Sequence, residues 1–497
     1  MQNQYKKIIF TLSVTLLIAC GGGGGEIGKS VQSENPIIIA QTELLSSEPI
    51  ELPSIMDYLN NLCGNNTNIQ DILIEDINGD GKKDLVFNLW CNTKINGEIN
   101  NGPTPNNIVI FLQNKFGNFD NSTEYLLGKK YFDMGGHGFE VISHDFNKDG
   151  INDFVWSVNR EDGRNTDYPA TDANAQNSFF MSNGDKFNHQ KLGQTAWNYN
   201  VNLVDNSMGS KDLISTPIGY NGVTEGWRYT NGWQLINDYN WVIGKPLFFK
   251  STDPKIGSEL AISGNSTTKG IDAYYKSNSQ WSKTDTFLIG QKIGVAKIKA
   301  WNLNISETPI TLFNNKKFIY FAISDLMCEL SKKDNQASMI AAAWGYELPS
   351  SYNGEMINEW DLKFYNKILP FNIINGKISE NNKITIKNEL NNIFGTKISC
   401  EDINGDGLID IMIHQWTANH KIALYLNDGN GSFSLVDNKL FPIPNQFKKG
   451  IFQKYQDIDG DGIPDLLVTP TVGLNVDEKP IFYLYKGKRK LTLKDIQ

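Results

Sequence analysis

The chain repeats one acidic nine-residue loop four times, and this repeat constrains the fold more than any other feature of the sequence. The copies occupy residues 76–84, 145–153, 402–410 and 457–465, with oxygen-bearing side chains at positions 1, 3, 5 and 9 and glycine at position 6. Oxygen ligands on alternate residues, with a glycine where the backbone turns sharply, are the spacing of a calcium loop. The sequence therefore predicts four structural calcium sites within a repetitive fold.

The predicted ligands are the side chains at positions 1, 3, 5 and 9, together with position 7, where calcium loops use a main-chain carbonyl oxygen. Each ion is thus expected to meet only hard oxygens, the ligands that calcium prefers. In chain order the predicted ligands are Asp76, Asn78, Asp80, Lys82 and Asp84; Asp145, Asn147, Asp149, Ile151 and Asp153; Asp402, Asn404, Asp406, Leu408 and Asp410; and Asp457, Asp459, Asp461, Ile463 and Asp465.

The residues after each loop distinguish it from an EF-hand, which needs a bidentate acid at position 12 and flanking helices. Position 12 here is Phe87, Trp156, Ile413 or Val468, and none of these side chains binds a cation. A short run of branched and aromatic residues follows each position-9 aspartate, which is typical of a strand. We therefore expect each loop to join two strands, with the last aspartate opening the second.

A second element recurs downstream of each loop: an apolar strand, a turn rich in glycine and asparagine, and another strand. Such turns supply the positive φ angles of a tight hairpin. The four elements occupy residues 108–119, 178–187, 422–433 and 481–487. Each unit is therefore predicted to contain two strands joined by the acidic loop, followed by a hairpin.

This combination of loop and hairpin resembles the FG-GAP/VCBS repeat family, whose units are blades of an integrin-alpha-like β-propeller. The resemblance covers four units, near residues 70–125, 140–190, 395–440 and 450–497, and is best over residues 400–436. It implies an all-β propeller in which calcium ions in the acidic loops hold the first two strands of a blade together.

The middle of the chain contains weaker copies of the unit. Hairpins predicted within residues 226–233, 273–281 and 371–376 bring the expected number of blades to seven. Loops near residues 205–212, 253–259 and 302–304 have lost most of their oxygens, so we expect no metal there. Residues 313–362 are expected to form either an insertion in the fifth unit or an eighth, degenerate blade.

The N-terminal segment is predicted to direct export. Lys6 and Lys7 precede a short apolar stretch, which is typical of a signal peptide and too short to span a membrane. Residues 17–20 resemble a bacterial lipobox, which implies cleavage before Cys20 and acylation of its thiol; an ordinary secretory signal is the alternative. The expected organisation is a signal peptide over residues 1–19, a glycine-rich tether over 20–55 and the propeller over 56–497. A strand at residues 37–39 that closes the ring is the alternative for part of the tether. Gly21 favours the outer membrane over retention in the inner membrane, with the periplasmic or exterior face left open.

The remaining cysteines and the charge fit an exported protein. Cys63, Cys91, Cys328 and Cys400 form an even set, for which disulfides are the expected state and free buried thiols the alternative. We expect Cys63 to pair with Cys91, because they flank the first loop, and Cys328 with Cys400. The net charge of −9 and the lack of a basic cluster argue against nucleic acid as a partner.

Catalytic patterns are sparse in the sequence. The five histidines form no zinc spacing, there is no Gly-x-Ser-x-Gly elbow, and calcium spacing explains the paired carboxylates better than a glycosidase pair does. Seven tryptophans between residues 197 and 344 are expected either to pack between blades or to form a surface for sugar or peptide. We therefore expect a non-catalytic, lipid-anchored binding or scaffold module for a protein or glycan. The alternatives are a surface polysaccharide lyase or hydrolase and an outer-membrane assembly helper.

Overall fold

The computed structural model divides the chain into two units, Met1–Gln41 and Thr42–Gln497. All of the residues that the structure describes belong to the second unit. They are residues 43–52, 67–91, 93–95, 98–100, 106–129, 132–133, 137–159, 176–193, 198–205, 210–217, 224–236, 246–250, 259–265, 270–277, 280–288, 290–299, 305–322, 327–333, 336–358, 361–387, 395–415, 422–442, 451–470 and 482–496.

The described chain is almost entirely β-structure, as predicted, and its first sheet surrounds the first acidic loop. Sheet 1 has the strand order β2-β3-β6-β7, with β8 also paired to β6, while β4 and β5 form a separate hairpin. The elements up to residue 133 are β1 (Ile50–Glu51), β2 (Thr67–Glu75), β3 (Asp84–Cys91), β4 (Thr93–Ile95), β5 (Glu98–Asn100), β6 (Asn106–Gln113), β7 (Phe119–Asn121), helix α1 (Thr123–Leu127) and β8 (Phe132–Asp133).

The next three sheets are four-stranded antiparallel meanders. Sheet 2 contains β9–β12, sheet 3 contains β13–β16 and sheet 4 contains β17–β20. The hairpins predicted within residues 226–233 and 273–281 are both present, as β15–β16 and β19–β20. The strands are β9 (His137–His144), β10 (Asp153–Asn159), β11 (Asn177–Ser182), β12 (Phe187–Leu192), β13 (Asn198–Asp205), β14 (Lys211–Pro217), β15 (Glu225–Tyr229), β16 (Trp233–Ile236), β17 (Pro246–Lys250), β18 (Glu259–Asn265), β19 (Gly270–Ser277) and β20 (Gln280–Leu288).

Sheet 5 is larger than the others, with eight strands in the order β26-β21-β22-β23-β25-β27-β28 and β24 paired to β25. Every described strand between residues 313 and 362 belongs to this sheet, because the long β25 pairs with β24 along its first half and with β23 along its second. The added strands are therefore an extension of one sheet. The eight strands of sheet 5 are β21 (Gln291–Lys299), β22 (Ile305–Phe313), β23 (Lys316–Ala322), β24 (Met327–Lys333), β25 (Gln336–Glu347), β26 (Ile357–Asn358), β27 (Lys363–Ile374) and β28 (Lys377–Glu380).

The last two sheets carry the third and fourth acidic loops. Sheet 6 has the order β29-β33-β32-β31-β30, and sheet 7 the order β1-β36-β35-β34. Their elements are β29 (Thr385–Lys387), β30 (Gly395–Glu401), β31 (Asp410–Gln415), β32 (Ile422–Asn427), β33 (Ser432–Leu435), the 3-10 helix η1 (Asn438–Leu440), β34 (Ile451–Gln456), β35 (Asp465–Pro470), β36 (Tyr483–Tyr485) and the 3-10 helix η2 (Leu493–Asp495).

Buried apolar clusters join six pairs of neighbouring sheets, including the last sheet and the first. Sheets 2 and 3 meet where Phe146 contacts Trp233, with ring centroids 5.0 Å apart. Sheets 7 and 1 meet where Phe482 contacts Phe87 at 5.1 Å. Similar clusters link sheets 1 and 2, 4 and 5, 5 and 6, and 6 and 7, while β13 contacts β17 between sheets 3 and 4. The packing is β-propeller-like, because large side chains fill the space between neighbouring sheets.

The fourth strand of sheet 7 comes from the N-terminal side of the chain. Ile50 pairs with Leu484, and Leu45 forms a β-bridge with Gly487. The tether predicted over residues 20–55 is therefore wrong for residues 43–52, and the hairpin predicted around residue 487 does not form. Leu44, Leu45 and Leu52 are buried, so this segment has the apolar side chains that a closing strand needs.

A disulfide joins two neighbouring sheets of the described fold. Cys328 on β24 and Cys400 on β30 form a disulfide between sheets 5 and 6, with their Cα atoms 5.6 Å apart. None of the helices among the described residues is long and apolar enough to cross a membrane. The predicted signal peptide, Cys20 and Cys63 lie outside the described residues, and so does the side chain of Cys91.

Candidate metal centres

Each acidic loop joins the first and second strands of its sheet, as predicted. The loops follow β2, β9, β30 and β34, and the position-9 aspartate is the first residue of β3, β10, β31 or β35. The glycine at position 6 has a φ angle between 83° and 89° in all four loops. Residues other than glycine rarely adopt this backbone conformation, so the glycine permits the sharp turn of the loop.

The position-1 carboxylate organises the turn by accepting main-chain hydrogen bonds. In the first loop, Asp76 accepts from Gly79 and Gly81, with N–O distances of 2.7 Å for both. The aspartates at position 1 of the other loops accept from the amide of position 6 at 2.8–2.9 Å. These bonds hold the carboxylate towards the inside of the loop.

Positions 3 and 5 continue the same pattern one turn later. The side-chain oxygen at position 3 accepts from the main-chain amide of position 5 in every loop, and the position-5 carboxylate accepts from that of position 7. In the second and third loops the position-3 residue is Asn147 or Asn404, whose side-chain amide also donates to the position-5 carboxylate at 3.0 Å. An asparagine at position 3 therefore supplies both an acceptor and a donor.

The position-9 aspartate ties three parts of the sheet together. Asp410 accepts from the main-chain amide of Ile403 in the loop at 3.2 Å and from that of Asn427, at the end of the third strand, at 2.9 Å. The same two bonds occur in the other loops, where the amides beside the third strand are those of Gln113, Ser182 and Gly487. This strand-joining role was not predicted, because it depends on register with a strand outside the motif.

Burial makes a negative charge at position 9 unfavourable without a cation. These four side chains are at most 1% exposed. Burial raises the pKa of Asp84 to about 7 and the pKa values of Asp153, Asp410 and Asp465 to about 6, although the main-chain hydrogen bonds oppose the rise. A nearby divalent cation is one of the ways in which a protein keeps such a carboxylate ionised.

The fourth loop is the one copy with an acid at position 3, and its acids at positions 1, 3 and 9 converge, whereas Asp461 at position 5 is not part of this group. Asp457, Asp459 and Asp465 each offer a carboxylate oxygen, and these atoms lie within 4.8 Å of one another. Within the described part of the chain, this group of three aspartates has the spacing of a metal site. An all-oxygen set of this kind fits calcium better than zinc or copper, which prefer nitrogen or sulfur. Lys486 lies beside it, with Nζ 2.5 Å from Asp459 Oδ2.

Sheets 3 and 4 neutralise buried acids with side chains instead. Asp212 at the start of β14 is fully buried, and Arg228 on the neighbouring β15 donates to both of its oxygens at 2.8 and 2.6 Å. In sheet 4, Lys283 Nζ lies 2.7 Å from the buried Asp272. The guanidinium of Arg228 thus provides positive charge beside the second strand, in a sheet where the sequence predicts no metal.

Two histidines and one tryptophan with described side chains illustrate packing roles; the side chains of His137, His414 and Trp344 lie outside the described part of the chain. His144 lies edge-on to Phe146, and burial lowers the pKa of His189 to about 4 beside Ser178. Trp233 packs edge-on against Phe179 at 4.7 Å. Trp197, Trp241 and Trp301 lie outside the described residues, as does His420.

Comparisons with known proteins agree with the loop geometry. The FG-GAP-like repeat family matches residues 76–156 and 402–468, which contain all four loops. No curated protein matches the chain. Among solved structures, a Bifidobacterium bifidum s17 protein provisionally named an exo-beta-1,3-galactanase is 9% identical, with a TM-score of 0.28, over 62% of this chain and 90% of its own. The exotype rhamnogalacturonan lyase YesX is 11% identical, with a TM-score of 0.26, over 85% of this chain and 72% of its own.

These two structural similarities are too weak to carry an argument about activity. The family match stands on its own, because it falls on the loops whose strands and turns are described above. The chain is therefore an FG-GAP repeat-containing protein.

Proposed function

We propose that this protein is a seven-bladed β-propeller, braced by calcium in four blades, that serves as a non-catalytic binding or scaffold module at the cell envelope. The observation that carries the calcium assignment is the convergence of Asp457, Asp459 and Asp465 within 4.8 Å in a loop of oxygen donors. The blade count is supported by seven sheets of four or more strands. Anchoring through an acylated Cys20 is part of the proposal and is supported by the sequence of residues 17–20.

The proposed role of the ions is structural. Each would be held by the position-1, -3, -5 and -9 side chains and the position-7 carbonyl, and would offset the charge of a buried aspartate that joins three strands. Affinity in the extracellular range, roughly 0.1–1 mM, suffices for such a role. A carboxylate that is ligated and hydrogen-bonded to main-chain amides is poorly suited to act as a general acid.

The surface proposed for a glycan or peptide partner is a cleft of about 940 Å³ beside sheet 5. Phe287 and Phe313 contribute aromatic surface to it, and Asn314 and Asn382 contribute side-chain amides. Flat rings with hydrogen-bonding amides suit the ring faces and hydroxyl groups of sugars.

Two experiments test this function. Thermal melts of purified protein, with excess calcium and with EDTA, should show a lower melting temperature after chelation, and elemental analysis should detect calcium. An unchanged melt with no bound metal refutes the calcium brace. A glycan array and a turnover assay on the same sugars test the binding role: retention without product supports a binding module, whereas product formation shows the alternative, a carbohydrate-active enzyme.

A further inference from the structure

The fourth loop differs from the other three at position 3. Asn78, Asn147 and Asn404 occupy this position in the first three loops, whereas the fourth has Asp459. The change removes a neutral side-chain donor and adds a negative charge to a loop that already contains Asp at positions 1, 5 and 9. Adding a carboxylate to a calcium site is one of the ways in which proteins raise its affinity.

A lysine accompanies this extra charge. The hydrogen bond to the position-9 aspartate identifies equivalent places beside the third strand, because the amides of Gln113, Ser182, Asn427 and Gly487 all make it. The residues immediately before them are Leu112, Met181, Leu426 and Lys486. Sheets 1, 2 and 6 therefore have an apolar side chain where sheet 7 has an ammonium group.

The side chain of Lys486 contacts the fourth acidic loop directly. Its Nζ lies 2.5 Å from Oδ2 of Asp459, while Oδ1 of Asp459 accepts from the main-chain amide of Asp461 at 3.2 Å. The side chain of Asp459 is 18% exposed and that of Lys486 is 41% exposed, so water screens the lysine end of this ion pair more than the aspartate end. The main-chain carbonyl of Lys486 accepts from the Ser46 amide at 2.8 Å, and the Lys486 amide donates to the Ser46 hydroxyl at 3.0 Å, which fixes the backbone from which the lysine extends.

We propose that Lys486 is a built-in counter-cation of the fourth loop, which neutralises Asp459 in the absence of metal and competes with an incoming divalent cation. The proposal rests on the calcium-binding function proposed above. The ion pair of Lys486 with Asp459 has no net charge, and in this respect it is equivalent to the neutral asparagine at position 3 of the other three loops. Lys486 thereby keeps the affinity of the fourth loop near that of the others, although this loop has one more carboxylate.

Calcium titration calorimetry on the full chain tests this role. Lys486→Met should create one site that binds calcium about tenfold more tightly than in wild type, because a unit charge a few ångströms from a divalent ion no longer opposes it. Asp459→Asn together with Lys486→Met should return that site to wild-type affinity. Lys486→Arg, which keeps the charge, should leave the affinity nearly unchanged.

Lys488→Met is the matched control, because Lys488 lies on the same segment but pairs with Glu43. It should leave all of the sites unchanged. If wild type and Lys486→Met bind calcium with the same affinity, the role of Lys486 is overturned and the calcium function stays intact. Calcium binding by none of these proteins overturns both. If Lys486→Met proves unstable, tighter binding by Lys486→Gln supports the role, and unchanged binding overturns it.

Discussion

The Arg228–Asp212 pair should contribute more to stability than any exposed ion pair of this protein. Arg228 donates to both oxygens of Asp212 at 2.8 and 2.6 Å, and Asp212 is fully buried while the side chain of Arg228 is 25% exposed. Removing one partner of a buried pair leaves an uncompensated charge and costs about 3–5 kcal/mol. Because the arginine is partly exposed, we expect Arg228→Met to lower the free energy of unfolding by about 3 kcal/mol.

Urea denaturation, followed by circular dichroism with calcium and again with EDTA, measures this effect. The loss should be the same in both conditions, because the sequence predicts no metal in sheet 3. Asp212→Asn combined with Arg228→Met should lose less than the single variant, since no buried charge remains. Lys316→Met breaks the exposed pair with Glu347 and should cost less than about 1 kcal/mol. A loss below about 1 kcal/mol for Arg228→Met, or one that occurs only with calcium present, refutes the reasoning.

Three further outcomes are expected. Gly407→Val should destabilise the protein by about 1–2 kcal/mol, because Gly407 has a φ of 86° and a branched side chain is strained there; a denaturation curve identical to wild type contradicts this. In calcium-free protein, the free energy of unfolding should fall as the pH rises from about 4 to about 7, because the folded-state pKa values of Asp84 and Asp153 lie above the ordinary 3.8. Added calcium should remove this fall. Melting temperatures that decline equally with and without calcium across that pH range argue against the prediction. Cys20→Ser should release the protein from the membrane fraction of cells, and its recovery in that fraction would count against lipid anchoring.

The sequence predicted the elements that depend on local chemistry. Each position-9 aspartate opens a strand, because branched and aromatic residues follow it, and the glycine–asparagine turns give hairpins even in the weaker middle units. Such signals are read within about ten residues of chain, where turn geometry and side-chain alternation are decisive. The all-β class followed from the same patterns.

Features that depend on distant pairing were missed. The closing strand Ile50–Glu51 pairs with Leu484, more than four hundred residues away, and the apolar residues around it do not by themselves identify that partner. The eight strands of sheet 5 could not be assigned, because β25 changes partner from β24 to β23 along its length. Arg228 and Lys486 were missed for the same reason: each faces its aspartate only because of strand register. Arg228 lies sixteen residues beyond Asp212, and Lys486 lies twenty-seven residues beyond Asp459, so no short sequence pattern joins either pair.

The amount of calcium bound per chain at saturation tests the central claim most directly. Equilibrium dialysis followed by elemental analysis should give about four calcium ions per chain, one for each acidic loop, and Asp461→Ala should lose one of them. A chain that holds no calcium at millimolar free ion, or an Asp461→Ala variant that binds as much as wild type, would contradict the account.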